Sequence, residues 1–228
     1  MKYYCIVNTE NKLITDRLKQ YGYICIATEK SANVSSPICR HADVLYLKTD
    51  SNSLAVSDCQ QNNIVVLKEK GFDIKEIKLA AGYKTESKLN IIITDENIIC
   101  NSKTCEADIL ITNKNIINVN QGYTKCSTIV IDCNNFITED EGIYNALTQA
   151  GKNCLLIAKG YAELKGYDYG FIGGASAYLS AADTLLFFGN ISKHPDYCRI
   201  MNFTERCKIK IDYIEDIKLQ DIGGIVEL

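Results

Sequence analysis

Several features that mark particular protein classes are missing from this sequence. No stretch reaches the roughly 18 uninterrupted apolar residues of a membrane helix, and the opening apolar run turns polar at residue 8, too soon for a signal-peptide core. Lys and Arg total 25 against 28 Asp and Glu, so a net charge of -3 supplies no general attraction for nucleic acid or an anionic membrane. We therefore expect a cytoplasmic protein without nucleic-acid or membrane partners.

Linker signals are also scarce. Pro37 and Pro195 are the only prolines, and no low-complexity or charge-run segment divides the 228 residues. With 46% hydrophobic residues, the chain has enough apolar material for one sizeable core. The sequence predicts a single domain over residues 1–228.

The eleven cysteines include no Cys-x-x-Cys pair, and the two histidines, His41 and His194, have no cysteine partner at metal-ligand spacing. Disulfide frameworks and zinc ribbons need such clustering. We expect no metal and no cofactor, and most cysteines should be small buried residues of strands, as in the apolar surroundings of Cys5, Cys25 and Cys154.

One stretch displays a β-β-α-β pattern. Residues 127–132 and 136–138 read as short strands, a helix follows over about 139–149, and 153–158 forms the next strand. Thr138 and Glu141 stand at capping-box spacing before that helix.

The pattern recurs along the chain. Gly-Tyr pairs begin at residues 82, 122 and 166. The third pair is followed by a predicted strand that starts at 169–172 and continues beyond it, and by a second strand at 184–189. A helix near 195–206 and a strand at 208–213 complete this module. About one period before residue 82 stands His41, directly ahead of a predicted strand at 43–47. A fixed period of this size is typical of radial or stacked repeats.

The chain ends complete the repeat. Residues 3–7, a helix near 13–21 and a strand at 23–27 make a module that lacks its first strand, and 222–228 forms a lone terminal strand. Joining the two closes a ring of five modules and hides its edges. A doubly wound α/β sheet is the alternative; it explains the alternation but not the paired short strands.

Three motifs resemble the pentein, or guanidino-group-modifying, superfamily of dimethylargininases and arginine deiminases. Residues 41–46 (HADVLY) are similar to its His-x-Asp plus apolar strand, and residues 125–131 (KCSTIVI) to its Cys-Ser strand. Residues 171–175 (FIGGA), followed by 186–189 (LFFG), look like its Gly-Gly turn and strand. The motifs keep the family's cyclic order but start elsewhere, as in a circular permutant.

The resemblance implies a five-bladed α/β-propeller of pseudo-fivefold ββαβ modules around a central cavity, and a bacterial origin. It also implies Cys126 as nucleophile and His41 as general acid/base. Ile172 and Ala175 stand where dimethylargininases carry acidic residues, so arginine-type substrates are in doubt; Asp168 is the nearest substitute.

The residues support these roles separately. Lys125 favours the thiolate of Cys126 by its charge, which lowers the thiol pKa. Asp43, two residues after His41 on one face of a strand, can orient the imidazole. The alternatives are that Cys126 is one more buried strand cysteine and that His41 is a partly exposed loop residue.

Other positions have narrower expectations. Gly173 and Gly174 permit close backbone approach to a ligand, and Ser127 belongs to the cysteine motif, so with Lys125 and Asp168 they are the predicted substrate-binding residues. His194, before Pro195, reads as a helix start instead.

Two function classes follow. The first is a cofactor-free, Cys-dependent hydrolase of C–N bonds other than peptide bonds, or an amidinotransferase, acting on an amidine- or amide-like small molecule in the central cavity. The second is a non-catalytic pentein that binds a small ligand or a protein such as the ribosome. A homodimer is left open.

Overall fold

The computed structural model describes residues 3–228, which form fifteen strands and six α-helices over that range. The strands are Tyr3–Val7 (β1), Tyr23–Ala27 (β2), Tyr46–Asp50 (β3), Ser53–Ser57 (β4), Asp73–Ile77 (β5), Ile92–Ile93 (β6), Asn97–Cys100 (β7), Asn115–Asn118 (β8), Thr128–Val130 (β9), Asn135–Thr138 (β10), Asn153–Leu156 (β11), Ser176–Leu179 (β12), Thr184–Phe187 (β13), Lys210–Tyr213 (β14) and Ile225–Glu227 (β15). The helices are Lys12–Gln20 (α1), Ala42–Leu45 (α2), Gln61–Glu69 (α3), Tyr83–Glu86 (α4), Glu141–Gln149 (α5) and Tyr197–Arg206 (α6).

The strands are divided among five three-stranded sheets that share one plan. Their orders are β15-β1-β2, β3-β4-β5, β6-β7-β8, β9-β10-β11 and β12-β13-β14. In every sheet the first named pair is antiparallel and the second is parallel. A parallel pair needs a crossover connection, which α1, α3, α5 and α6 supply in four of the sheets. The predicted five-module α/β fold is confirmed, and the doubly wound alternative is wrong.

The first module is assembled from both ends of the chain. Strand β15 pairs antiparallel with β1, placing Ile6 opposite Val226, while β1 pairs in parallel with β2. Strand β15 also contacts β3 of the next module, as β9 contacts β12. Strand β1 therefore has partners on both sides and offers no open edge.

The helices cover the sheets with apolar faces. Helix α1 buries Ile14 and Leu18, and α5 buries Ile143 and Leu147, each pair at the spacing of one helical turn. Asp140 caps α5, because its side chain accepts a hydrogen bond of 2.9 Å from the backbone N–H of Ile143. The predicted capping box is therefore wrong: the helix begins at residue 141, behind an aspartate cap.

Two predicted strands start later than their sequence pattern indicated. Residues 43–45 of the predicted strand 43–47 belong to the single helical turn α2 instead, in which the N–H of Leu45 donates to the carbonyl of His41 at 3.1 Å, and the strand begins only at Tyr46. Asp43 therefore lies in a turn rather than on a strand face. Residues 169–172 are not a strand, because the N–H of Phe171 donates to the carboxylate of Asp221, and β12 begins at Ser176.

All eleven cysteines are free thiols. Cys5 is buried as predicted, whereas Cys25 and Cys154 are half-buried and Cys198 is exposed. Cys126 belongs to the largest buried apolar cluster, which also contains Leu45. Within residues 3–228, no helix has both the length and the apolar character needed to cross a membrane.

Candidate active site

An aromatic-walled cavity of about 280 Å³ brings together His41 and Cys126, which are 85 positions apart in sequence. We call it the aromatic cavity. It is lined by Ile38, His41, Tyr123, Cys126, Tyr167, Asp168, Tyr169, Phe171 and Asp221. His41 and Cys126 therefore line one cavity, and Asp168 lies at its exposed rim.

Cys126 is held by a network of short polar contacts. Its Sγ lies 3.0 Å from Oδ2 of Asp43 and 2.9 Å from Nδ2 of Asn90. The backbone N–H of Cys126 donates to Oδ1 of Asn90 at 3.0 Å, and the same Asn90 amide donates to the carbonyl of Asp43 at 2.9 Å. Asn90 thus ties the cysteine loop to the turn that carries Asp43.

His41, Asp43 and Cys126 form one compact cluster. One side-chain donor atom from each lies within 4.8 Å of the others, and all three residues are buried. Nδ1 of His41 makes no hydrogen bond to any of residues 3–228. Imidazole nitrogen, carboxylate oxygen and cysteine sulfur are all ligands of transition-metal ions. These three side chains are therefore the ones in the described chain that could hold a metal.

The cluster contains a neutral thiol in its resting state. Burial raises the pKa of Cys126 well above its usual range, and the negative charges of Asp43 and Asp221 raise it further. Burial also raises the pKa of Asp43. The prediction that Lys125 gives Cys126 a lowered pKa is wrong, because two carboxylates and the loss of water outweigh one neighbouring ammonium.

Lys125 itself lies outside the aromatic cavity. With Asp43 it lines a separate cavity of about 300 Å³, whose walls include Ile92 and Val226 from the first strands of two modules. Burial lowers the pKa of Lys125. Lys125 and Cys126 are neighbours in the turn before β9, yet their side chains line different cavities.

Asp221 is a member of the site that the sequence analysis missed. Its Oδ1 lies 3.6 Å from Nδ1 of His41, and its two oxygens accept hydrogen bonds from the N–H groups of Gly223 and Phe171 at 3.0 and 2.8 Å. The carboxylate is thus fixed by backbone donors beside the imidazole. The sequence did contain a signal for Asp221. The tripeptide Ile-Gly-Gly follows Asp221 just as it follows Phe171 in the predicted Gly-Gly motif.

Gly223 allows the closest approach to His41. It has φ +81°, and a Cβ added there would lie 2.3 Å from Cβ of His41. An L side chain meets both backbone strain and a clash at this position. The second Ile-Gly-Gly segment therefore sets the distance between Asp221 and the imidazole.

Gly173 and Gly174 contact protein rather than the aromatic cavity. A Cβ on Gly173 would lie 2.4 Å from the carbonyl oxygen of Lys125, and one on Gly174 would lie 2.0 Å from Oδ1 of Asp221. The N–H of Gly174 donates to the carbonyl of Cys126 at 3.0 Å. The pair joins the cysteine loop to Asp221, and neither glycine is among the cavity-lining residues.

The remaining predicted residues have different positions. Ser127 is buried and faces a neighbouring cavity that contains Glu139, not the aromatic cavity. Asp43 does not hydrogen-bond the imidazole; its Oδ2 accepts from Cys126. His194 accepts the N–H of Asp196 just before α6, so its predicted role at a helix start is confirmed.

Comparison with known protein families assigns the chain to one of them. Residues 6–226 match the model of a family of unknown function, DUF6873. The chain belongs to this family. No curated protein sequence matches.

Solved structures share the fold at very low sequence identity. An agmatine deiminase from C. jejuni superposes with a TM-score of 0.56 at 10% identity, over 94% of this chain and 88% of that one. A dimethylarginine dimethylaminohydrolase adduct with 4-chloro-2-hydroxymethylpyridine gives 0.57 at 8% identity, and the Pseudomonas aeruginosa DDAH with citrulline gives 0.54 at 9%, both over 100% of each chain. The pentein fold of this DUF6873 member is thereby confirmed.

Proposed function

We propose that this DUF6873 protein is a Cys126-dependent hydrolase or transferase that acts on an amidine-like small molecule. The observation that carries the proposal is the convergence of Cys126 and His41 in one aromatic cavity beside Asp221. The structural neighbours support it, because their names describe a deiminase and a dimethylaminohydrolase, and two were solved as Cys-to-Ser variants with citrulline or substrate bound.

The cavity favours a planar cation. Tyr123, Tyr169 and Phe171 contribute aromatic walls, which attract cations. Asp168 and Asp221 add carboxylates that can pair with an amidinium. These acids replace the ones missing at residues 172 and 175.

A bound cation also activates the nucleophile. The charges of Asp43 and Asp221 help to keep the pKa of Cys126 high. A positive charge placed beside the sulfur offsets both, so the thiol pKa falls only when substrate is present. Asp43 Oδ2, 3.0 Å from Sγ, is positioned to accept the proton.

The reaction then follows in two halves. The sulfur of Cys126 bonds to the amidine carbon while Asp43 takes the thiol proton, and His41 protonates the leaving nitrogen as the C–N bond breaks. Water next loses a proton to His41 and attacks the same carbon. The C–S bond breaks, the sulfur recovers its proton from Asp43, the remaining hydroxyl proton passes to the departed ammonia, and an amide or urea is released. The balance is amidinium plus water to amide and ammonium.

Alkylation tests the proposal with a matched pair of reagents. Chloroacetamidine is cationic and chloroacetamide is neutral, while their reactive carbons are alike. Peptide mapping should show that chloroacetamidine modifies Cys126 selectively among the eleven thiols and faster than chloroacetamide does. Uniform labelling, or no preference for the cation, would contradict an amidine site and favour the non-catalytic alternative.

Turnover is tested on agmatine and dimethylarginine, the compounds in the neighbours' names. Release of ammonia or dimethylamine should require Cys126 and disappear in Cys126→Ser. The matched control is Cys198→Ser, which changes an exposed thiol that does not line the aromatic cavity and should leave the rate unchanged.

A further inference from the structure

A second, acidic cavity adjoins the aromatic cavity. It has a volume of about 570 Å³, and Tyr169 and Phe171 line both cavities. We call it the acidic cavity. Its lining consists of Gln121, Ser127, Glu139, Asp140, Glu141, Gly142, Leu156, Ile157, Ala158, Lys159, Tyr169 and Phe171. Three carboxyl groups thus face one ammonium, and two aromatic rings form the partition.

Two buried polar groups in the acidic cavity have unused hydrogen-bonding capacity. Ser127 has no exposed surface, and its Oγ makes no hydrogen bond to residues 3–228. Glu139 is 8% exposed, and Oε1 accepts the N–H of Ile172 at 3.0 Å, while Oε2 has no hydrogen bond within the described chain. A buried hydroxyl without a partner, such as that of Ser127, is costly unless a ligand supplies one.

We propose that the acidic cavity is a binding subsite for an alkylammonium group. An ammonium brings three N–H donors and no acceptor, which matches the free oxygens of Ser127 and Glu139 and the excess of carboxylates. The rings of Tyr169 and Phe171 provide faces that also attract a cation. A ligand that fills both cavities therefore carries a second positive group on the far side of these rings; that last step rests on the proposed function.

The subsite has a distinctive pH dependence. Burial raises the pKa of Glu139 to about 8, the charges of Asp221 and Asp140 raise it too, and the Ile172 N–H and Lys159 act in the opposite direction. The protonated carboxyl binds a cation poorly, whereas the carboxylate binds it well. An alkylammonium, like the Lys side chain, has a pKa of about 10 and therefore stays charged at pH 8. The affinity of the subsite for it should therefore rise as the pH passes through 8.

Calorimetric titration with n-butylammonium chloride tests the subsite without any turnover. The wild-type chain should bind n-butylammonium more tightly at pH 8.5, about half a unit above the Glu139 pKa, than at pH 6.5, about 1.5 units below it, and it should not bind n-butanol. Glu139→Gln keeps the acceptor for Ile172 but removes the charge, so it should weaken binding by about tenfold and abolish the pH dependence. Ser127→Ala should weaken binding less, and Glu205→Gln on the exposed face of α6 is the matched control.

Other results would overturn the subsite. If Asp168→Asn abolishes binding while Glu139→Gln and Ser127→Ala do not, the cation occupies the aromatic cavity instead. Equal binding of n-butanol would show that the site recognises only the alkyl chain. Each variant is first checked by thermal melting; if Glu139→Gln does not fold, Ser127→Ala and the pH dependence of the wild type decide. Selective alkylation of Cys126 is scored separately, so the subsite and the proposed function can fail independently.

Discussion

Cys126 donates its thiol proton toward Asp43 across 3.0 Å, and both groups are buried. This contact makes the resting cysteine a neutral hydrogen-bond donor rather than a free thiolate. The side-chain amide of Asn90 contacts both residues, through the carbonyl of Asp43 and the sulfur of Cys126. The reactivity of the thiol therefore depends on its burial and on the carboxylate charges around the sulfur.

Asp43→Asn should separate thiol reactivity from turnover. Removing this carboxylate removes one of the charges that raise the pKa of Cys126, so iodoacetamide should modify Cys126 faster at pH 7–8, as rates track the thiolate fraction. Turnover should fall, because the proton acceptor is lost. Exposed Cys198, quantified in the same digest, provides the internal reference. An unchanged or slower rate at Cys126 would show that Asp43 does not control the thiol.

Asp221→Asn should impair catalysis more than folding. The asparagine side chain retains an oxygen that can accept one backbone N–H, but it loses the charge 3.6 Å from Nδ1 of His41. Turnover should fall by about a hundredfold, the scale of a general acid/base contribution. Measuring both kcat and the thermal midpoint separates a catalytic role from a structural one. If the midpoint falls along with kcat, Asp221 acts through the structure alone.

Gly223→Ala should destabilise the fold through contact with His41. The matched control is Gly22→Ala, which has a similar φ of +85° but no atom within 4 Å of the added Cβ. Both substitutions place an L-residue at a positive φ, which should lower the free energy of unfolding by about 1–2 kcal/mol. Gly223→Ala should cost about 1–3 kcal/mol more, because overpacking adds to strain. Urea unfolding measures the difference, and equal losses would mean that His41 moves freely.

Glu139 should make the protein less stable as the pH rises toward 8. Its folded-state pKa is raised from 4.5 to about 8, so between these values the folded state keeps a proton that the unfolded state has released. The free energy of unfolding then falls with pH, by at most about 1.4 kcal/mol per unit. Comparing urea unfolding of wild type and Glu139→Gln from pH 5 to 8 isolates this slope; identical slopes would contradict the buried-acid assignment.

Local sequence patterns were sufficient for most of the fold. The strand bounds Tyr3–Val7 and Tyr23–Ala27 agree with the structure, since an apolar, β-branched run between polar residues specifies a strand locally. The closure of the ring by β15 was also predicted, because a module lacking one strand and a lone strand at the other terminus complete each other. Local signals failed at 43–47, where contacts with the Gly223 loop favour a helical turn.

The order and spacing of the residues were enough to predict the five modules and to single out His41 and Cys126 as candidates. Their chemistry depends on contacts that form only in the folded chain. The preceding residue, Lys125, argued for a thiolate, but burial raises the pKa of the Cys126 thiol instead, and the charges of Asp43 and Asp221 from distant modules raise it further. Electrostatic interactions depend on distance in space and on burial, and neither can be read from neighbours in sequence. For the same reason Asn90, Asp221 and Glu139 became visible only after folding placed them around the cavities.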